Sequence, residues 1–155
     1  MDFNNCPDVR LAVLEDVPAL MGLMRTAAEE DAQHPMDEYK VFNMIRRYFD
    51  QQGALLAVIG EIGSPVAYLL MVVEPIWYST DAQLLELSLF VHPDHRRSNF
   101  AKQLMAFSKQ ASEGLSLDLT IGVLSNERTA AKVRLYQRQF QTAGAYFVYR
   151  PSASE

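Results

Sequence analysis

The chain has 155 residues, 49% of them apolar and 21% charged, and carries a formal net charge of −5. These values suit one globular domain with a core of its own, so residues 1–155 are read as a single domain. The acidic balance argues against a protein that coats nucleic acid and mildly favours cationic partners. The opening MDFNNCPD has neither a basic nor an apolar leader region, so no signal peptide is expected. Cys6 is the only cysteine, which excludes an internal disulfide and fits a reducing, cytoplasmic setting. No apolar run approaches the length of a bilayer span, so no membrane partner is expected.

In chain order, Val9 to Leu14 alternates as a first strand. Glu15, Asp16 and Pro18 then signal a helix start, and Leu20, Leu23 and Met24 form its buried stripe. Glu29 to Glu38 reads as an acidic break. A second helix from Glu38 to about Asp50 buries Val41, Phe42, Ile45 and Phe49, with Gly53 marking its end. Leu55–Ile59 and Val66–Val73 are two strands joined by the turn-rich GEIGSP.

The stretch around which the chain is organised is Leu84 to Leu104, LLELSLFVHPDHRRSNFAKQL. Leu84 to Val91 has the composition of a strand buried on both faces, and Pro93 ends it. After the polar, basic turn, Phe100, Leu104, Met105 and Phe107 recur at helical spacing, with Ser98 or Asn99 as N-cap. The first N–H groups of such a helix lack internal partners and the helix dipole makes that end positive. A strand, a basic turn with Arg96 and Arg97, and a helix start together form a cradle for a pyrophosphate. Beyond it, Gly114 and Leu115 to Leu124 supply a strand, Arg128 to about Arg138 a helix, and Ala145 to Tyr149 a last strand. The order β-α-α-β-β-β-α-β-α-β implies a mixed α/β (α+β) fold with a largely antiparallel sheet flanked by helices.

Val91, Pro93, Arg96 and Ala101 match V-x-P-x-x-R/Q-x-x-G-x-G/A, and the segment resembles motif A of the GNAT superfamily of acyl-CoA-dependent N-acyltransferases. Asn99 replaces the first glycine of that motif. Asn is the non-glycine residue that best tolerates a positive φ, and its side chain holds a phosphate slightly farther off than glycine would. Leu135-Tyr136 resembles the L-Y pair of motif B, with Asn126 upstream, although Gln139-Phe140 stands where the family has Gly-Phe. The element order is also that of the GNAT fold, so the resemblance covers nearly the whole chain.

The resemblance implies direct acetyl transfer from acetyl-CoA to a small-molecule or protein amine, without metal or covalent enzyme intermediate, in an enzyme that often dimerises. It implies cofactor contacts from Leu89, Phe90, Val91, Arg96, Arg97, Ser98, Asn99, Phe100, Ala101, Lys102 and Asn126. Glu86 would be the general base and Tyr136 the donor of a proton to the leaving thiolate. Two other readings remain open on the residues alone. Glu86 also suits a sheet glutamate paired with a basic residue, and Tyr136 a core aromatic with its hydroxyl satisfied. His92 and His95 suggest a metal only weakly, since no third ligand accompanies them; His92 is a polar turn residue or a second candidate base. The acidic loop with Trp77 and Tyr78 would suit a pocket for a cationic amine. Two other classes also remain: a GNAT-like acyl-CoA sensor without catalysis, and an unrelated nucleotide-phosphate binder, for which no G-x-x-x-x-G-K-S/T is present.

Overall fold

The computed structural model describes residues 5–31, 34–123, 129–145 and 147–148. Five strands, β1 (Val9–Leu11), β2 (Ala54–Glu61), β3 (Ser64–Pro75), β4 (Ala82–Val91) and β5 (Asp118–Thr120), form one sheet in that order. The first three pairings are antiparallel and the β4–β5 pairing is parallel. Helices α1 (Val17–Asp31) and α2 (Glu38–Phe49) cover one face, and α3 (Phe100–Leu115) covers the other. The fourth helix, α4, spans Thr129–Gln137.

Strand alternation explains the two cores. Ala57, Ile59, Ala67, Leu69 and Met71 pack with Leu104, Phe107 and Ala111 of α3. Leu56, Val58, Tyr68 and Leu70 pack with Leu20, Leu23, Met24 and Ile45 from α1 and α2. The expected stripe of α1 is therefore the buried one. In α2 only Ile45 is fully buried, while Phe42 is 44% exposed because it lies off the face that meets β2.

A buried carboxylate fastens the front of the sheet. Asp16 accepts both terminal nitrogens of Arg10 (2.6 and 2.8 Å) and the amides of Val13 (2.9 Å) and Gly63 (2.8 Å). Burial alone would raise its pKa, but these four bonds outweigh it and bring the carboxyl down to about 2.

Several boundaries differ from the sequence reading, each for a physical reason. The first strand stops at Leu11, because Leu14–Asp16 coils into a single 3-10 turn that delivers Asp16 to Arg10. Helix α1 runs through Glu29 and Glu30, which were read as a break. Acidic residues oppose the dipole at a helix C-terminus, but Arg96 pairs with Glu30 there. Gln51, with φ of 55°, is the first left-handed residue after α2, two residues ahead of Gly53 with φ of 67°, and Gln52 N–H returns to Arg47 O (2.9 Å). Gly114 and Leu115 belong to α3, which ends where Ser116 turns left-handed and Leu117 N–H bonds Ser112 O (3.1 Å). The expected strand to Leu124 is thereby reduced to Asp118–Thr120, and residue 124 lies outside the described residues. Ala145, Phe147 and Val148, where a last strand was expected, carry no strand, and Phe147 is 93% exposed. Tyr146 and Tyr149 lie outside the described residues.

Candidate active site

The site begins with an irregularity in β4. Leu70 faces Ser88 and Met71 faces Glu86, so Leu87 is an extra residue, a β-bulge. The bulge inverts the alternation: Leu84 and Val91, seven residues apart, both join the core under α3. Beside β4, strand β5 pairs only with Gln83, Leu84 and Leu85. Beyond that point β4 has no strand on its outer side among the described residues, and Glu86 to Leu89 are not fully buried as the composition suggested.

The register decides which backbone groups face the opening. His92 N–H bonds Val66 O (2.9 Å), so residues 92 and 66 form a hydrogen-bonded pair. By antiparallel alternation Phe90–Tyr68 is also hydrogen-bonded, whereas Val91–Ala67 and Leu89–Leu69 are not. Leu89 and Val91 therefore turn their N–H and C=O groups toward the open side, and Phe90 spends its own on β3. Leu89, Phe90 and Val91 line a cavity of about 150 Å3 together with Glu30, Arg96, Ser98, Ala101, Lys132, Leu135 and Tyr136.

Glu86 sits at the bulge. Burial pushes its carboxyl up to about 7, against the opposing pull of the Lys132 ammonium and the Gly122 amide that hydrogen-bonds it. Tyr136 lies near enough to feel Glu86: burial first, and then that carboxylate, hold its hydroxyl protonated well beyond a phenol's ordinary range. Lys132 and Tyr136 are one turn apart on α4 and so share the face that lines the cavity. Lys132 was missed in the sequence, although its position four residues before Tyr136 carried the signal.

The turn from β4 to α3 builds the other end. Pro93–His95 forms a 3-10 turn, and Ser98 Oγ accepts from Phe100 N–H (3.2 Å), making Ser98 the side-chain cap. The ladder of α3 starts with Gln103 N–H to Asn99 O (3.0 Å), which leaves the amides of Ala101 and Lys102 ahead of it. Asn99 has φ of −92°, so the backbone here does not need the positive φ for which a glycine or asparagine would be chosen. Its side-chain oxygen instead accepts from Gln103 Nε2 (2.8 Å). Arg97 and Lys102 are exposed. Arg96 is not: its Nε–H bonds Val91 O (3.2 Å), its Nη2 meets Glu30 Oε2 (2.5 Å), and it lies 5.5 Å from the Phe90 ring centroid.

A sequence profile of the acetyltransferase (GNAT) domain matches residues 51–141, the span from β2 through the end of α4. The chain belongs to the GNAT acetyltransferase family. No curated protein matches its sequence. Among solved structures, the ribosomal-protein-alanine N-acetyltransferase of Brucella melitensis biovar Abortus 2308 is 18% identical, with a TM-score of 0.69 over 94% of this chain and 99% of that one. The aminoglycoside 6'-N-acetyltransferase AAC(6')-IG of Acinetobacter haemolyticus is 13% identical, with a TM-score of 0.69 over 94% and 99%. AAC(6')-Iy, solved with the bisubstrate analogue CoA-S-monomethyl-acetylneamine, is 15% identical, with a TM-score of 0.69 over 94% and 98%. At these identities the likeness is one of fold, and it extends over nearly the full length of each chain.

Other candidate residues of this GNAT domain lie elsewhere. His92 Nδ1 accepts from Asp94 N–H (3.3 Å), and His92 does not line the cavity. Among the described residues no group of three or more His, Cys, Asp or Glu is placed to hold a metal ion, and no helix is long and apolar enough to cross a membrane. Trp77 and Tyr78 pack edge-to-face on each other (5.3 Å) at the tip between β3 and β4. They line neither the main cavity nor the smaller pocket formed by Arg25, Glu29, His34, Met36 and Glu38, and residues 32–33 of the acidic loop lie outside the described residues. Asn126 lies outside the described residues. Helix α4 ends without a glycine: Gln139 and Phe140 both return their amides to Tyr136 O (2.9 and 2.8 Å), and the Phe140 ring receives Lys109 Nζ (4.7 Å).

Proposed function

We propose that this GNAT domain transfers an acetyl group from acetyl-CoA to a primary amine by direct attack. The observation that carries this reading is the open edge of β4, where Leu89 and Val91 line a cavity with Tyr136, while Glu86 stands on the same strand at the bulge, close enough for its charge to act on the Tyr136 hydroxyl. In the proposal the pantetheine arm adds to that edge, bonding Leu89 and Val91, and a Val91 or Leu89 N–H polarises the thioester carbonyl. The pyrophosphate lies at the start of α3 against the amides near Asn99, Ala101 and Lys102, with Ser98 and Phe100 shaping the turn. Arg97 and Lys102 add charge there.

The amine nitrogen attacks the thioester carbon and becomes strongly acidic as the N–C bond forms. Glu86, ionised in about half the molecules near neutral pH, takes that proton. The C–S bond breaks, and Tyr136 gives its hydroxyl proton to the departing sulfur. Glu86 assists this second step. Once protonated it no longer raises the Tyr136 pKa, so the phenol becomes a better acid as the thiolate leaves. Tyr136 recovers a proton from solvent as Glu86 loses one.

A calorimetric titration with acetyl-CoA, desulfo-CoA and ATP, followed by an amine panel scored for CoA release, tests the reading. Binding of both CoA compounds in preference to ATP, with turnover on at least one amine, supports it. Preference for ATP overturns it, and CoA binding without turnover on any amine points to a non-catalytic acyl-CoA binder.

A further inference from the structure

We propose that Glu30 is a positioning residue for the acyl donor, acting through Arg96 on the open edge of β4. The inference rests on the reading of that edge as the pantetheine seat. Of the outward-facing groups on the edge, the Val91 C=O is already taken by Arg96 Nε–H (3.2 Å). What remains for a ligand is the N–H and C=O of Leu89 and the N–H of Val91. Arg96 thus acts as a stop: a chain adding to the edge pairs with Leu89 and Val91 N–H and cannot continue onto the Val91 carbonyl.

The stop holds only if the guanidinium stays in place. A long arginine side chain has many rotamers, and one hydrogen bond to a carbonyl is too weak to select one. Two further contacts select it. Phe90 presents its ring to the guanidinium (5.5 Å), and Glu30 at the end of α1 takes Nη2 (2.5 Å). Both partners are only about a quarter to a third exposed (25% and 31%), so the pair is less screened than a surface bridge. Glu30 also lines the cavity, which ties the C-terminal end of α1 to the donor seat.

The test uses the full chain, with Glu30→Gln, Arg96→Lys and the double variant. Charge-assisted hydrogen bonds contribute roughly twice as much as neutral ones. Glu30→Gln should therefore raise the acetyl-CoA KM, and the Kd for desulfo-CoA, by about tenfold or more. The acceptor KM and the position of the pH limb set by Glu86 should not move. Arg96→Lys keeps the charge but loses the Nε bond, so it should show the same donor defect, and the double variant should be no worse than the poorer single one. Thermal unfolding of each variant separates local from global effects. Should the wild-type protein fail to bind desulfo-CoA, the functional reading itself falls. With wild-type binding intact, an unchanged donor KM in a folded Glu30→Gln protein overturns this inference. A defect confined to the acceptor KM overturns it too, making Glu30 an acceptor contact.

Discussion

Replacing Glu86 by glutamine should stabilise the protein, and by an amount that depends on pH. A carboxyl whose folded pKa lies above its unfolded value holds its proton more tightly when folded. Its contribution is complete below about pH 4.5 and is lost as the pH rises through about 7. Moving the group from its ordinary 4.5 to about 7 corresponds, at 1.36 kcal/mol per pH unit, to about 3 kcal/mol lost above pH 8. Glu86 is only partly shielded from solvent, which screens part of this and makes about 2 kcal/mol the working figure. A glutamine of the same shape cannot ionise and avoids the loss. Urea or thermal unfolding of both proteins at intervals from pH 4 to pH 8 reads the difference directly. The curves should nearly coincide at pH 4 and separate by about 2 kcal/mol at pH 8, roughly 4–8 °C in Tm. A separation that does not change with pH, or a glutamine variant less stable at pH 8, would show that Glu86 is not held near neutrality by burial.

Tyr136→Phe should lower kcat by about a hundredfold or more while leaving acetyl-CoA affinity within a few-fold, read from steady-state CoA release and calorimetry. An unchanged kcat removes Tyr136 from the mechanism. Asp16→Ala should destabilise the fold by about 3–5 kcal/mol, since it strands Arg10 and the amides of Val13 and Gly63, a loss read by urea unfolding. The wild-type protein should lose about 2 kcal/mol between pH 4 and pH 2 as Asp16 protonates, and the alanine variant should lack this component in a pH series of melts. Gly60→Ala should cost about 1–3 kcal/mol in the same unfolding assay. Gly60 has φ of 121°, and a Cβ there would lie 2.7 Å from Ser64 O.

Local rules made much of this architecture legible. The composition of Leu84–Val91, Pro93 and the helical spacing after Phe100 were enough to locate the strand, turn and helix at the centre of the fold. An ionisable residue inside that apolar strand singled out Glu86. What escaped was set by contacts between distant segments. The bulge at Leu87 depends on how β4 meets β3 and leaves no composition signal. The extension of α1 to Asp31 follows from a partner 66 residues away, Arg96. Arg96, read from the sequence as part of the pyrophosphate cradle, lines the cavity and bonds Glu30 and the Val91 carbonyl, contacts that no local pattern signals. Asn99 was judged on its tolerance of positive φ, yet the turn adopts an ordinary conformation there. Lys132 escaped because only the less polar positions of its helix and Tyr136 drew attention, and its nearness to Glu86 depends on how α4 meets β4.

In the proposed reaction Glu86, at the β4 bulge, is the base. The most direct measurement is the pH dependence of kcat/KM for CoA release, from pH 5.5 to 9, in wild type and Glu86→Gln with amines of different basicity. With Glu86 as base, a rising limb near pH 7 keeps its position from one amine to the next and is absent from the glutamine variant. A wild-type profile whose only limb follows the pKa of the amine, unchanged by Glu86→Gln, would contradict it.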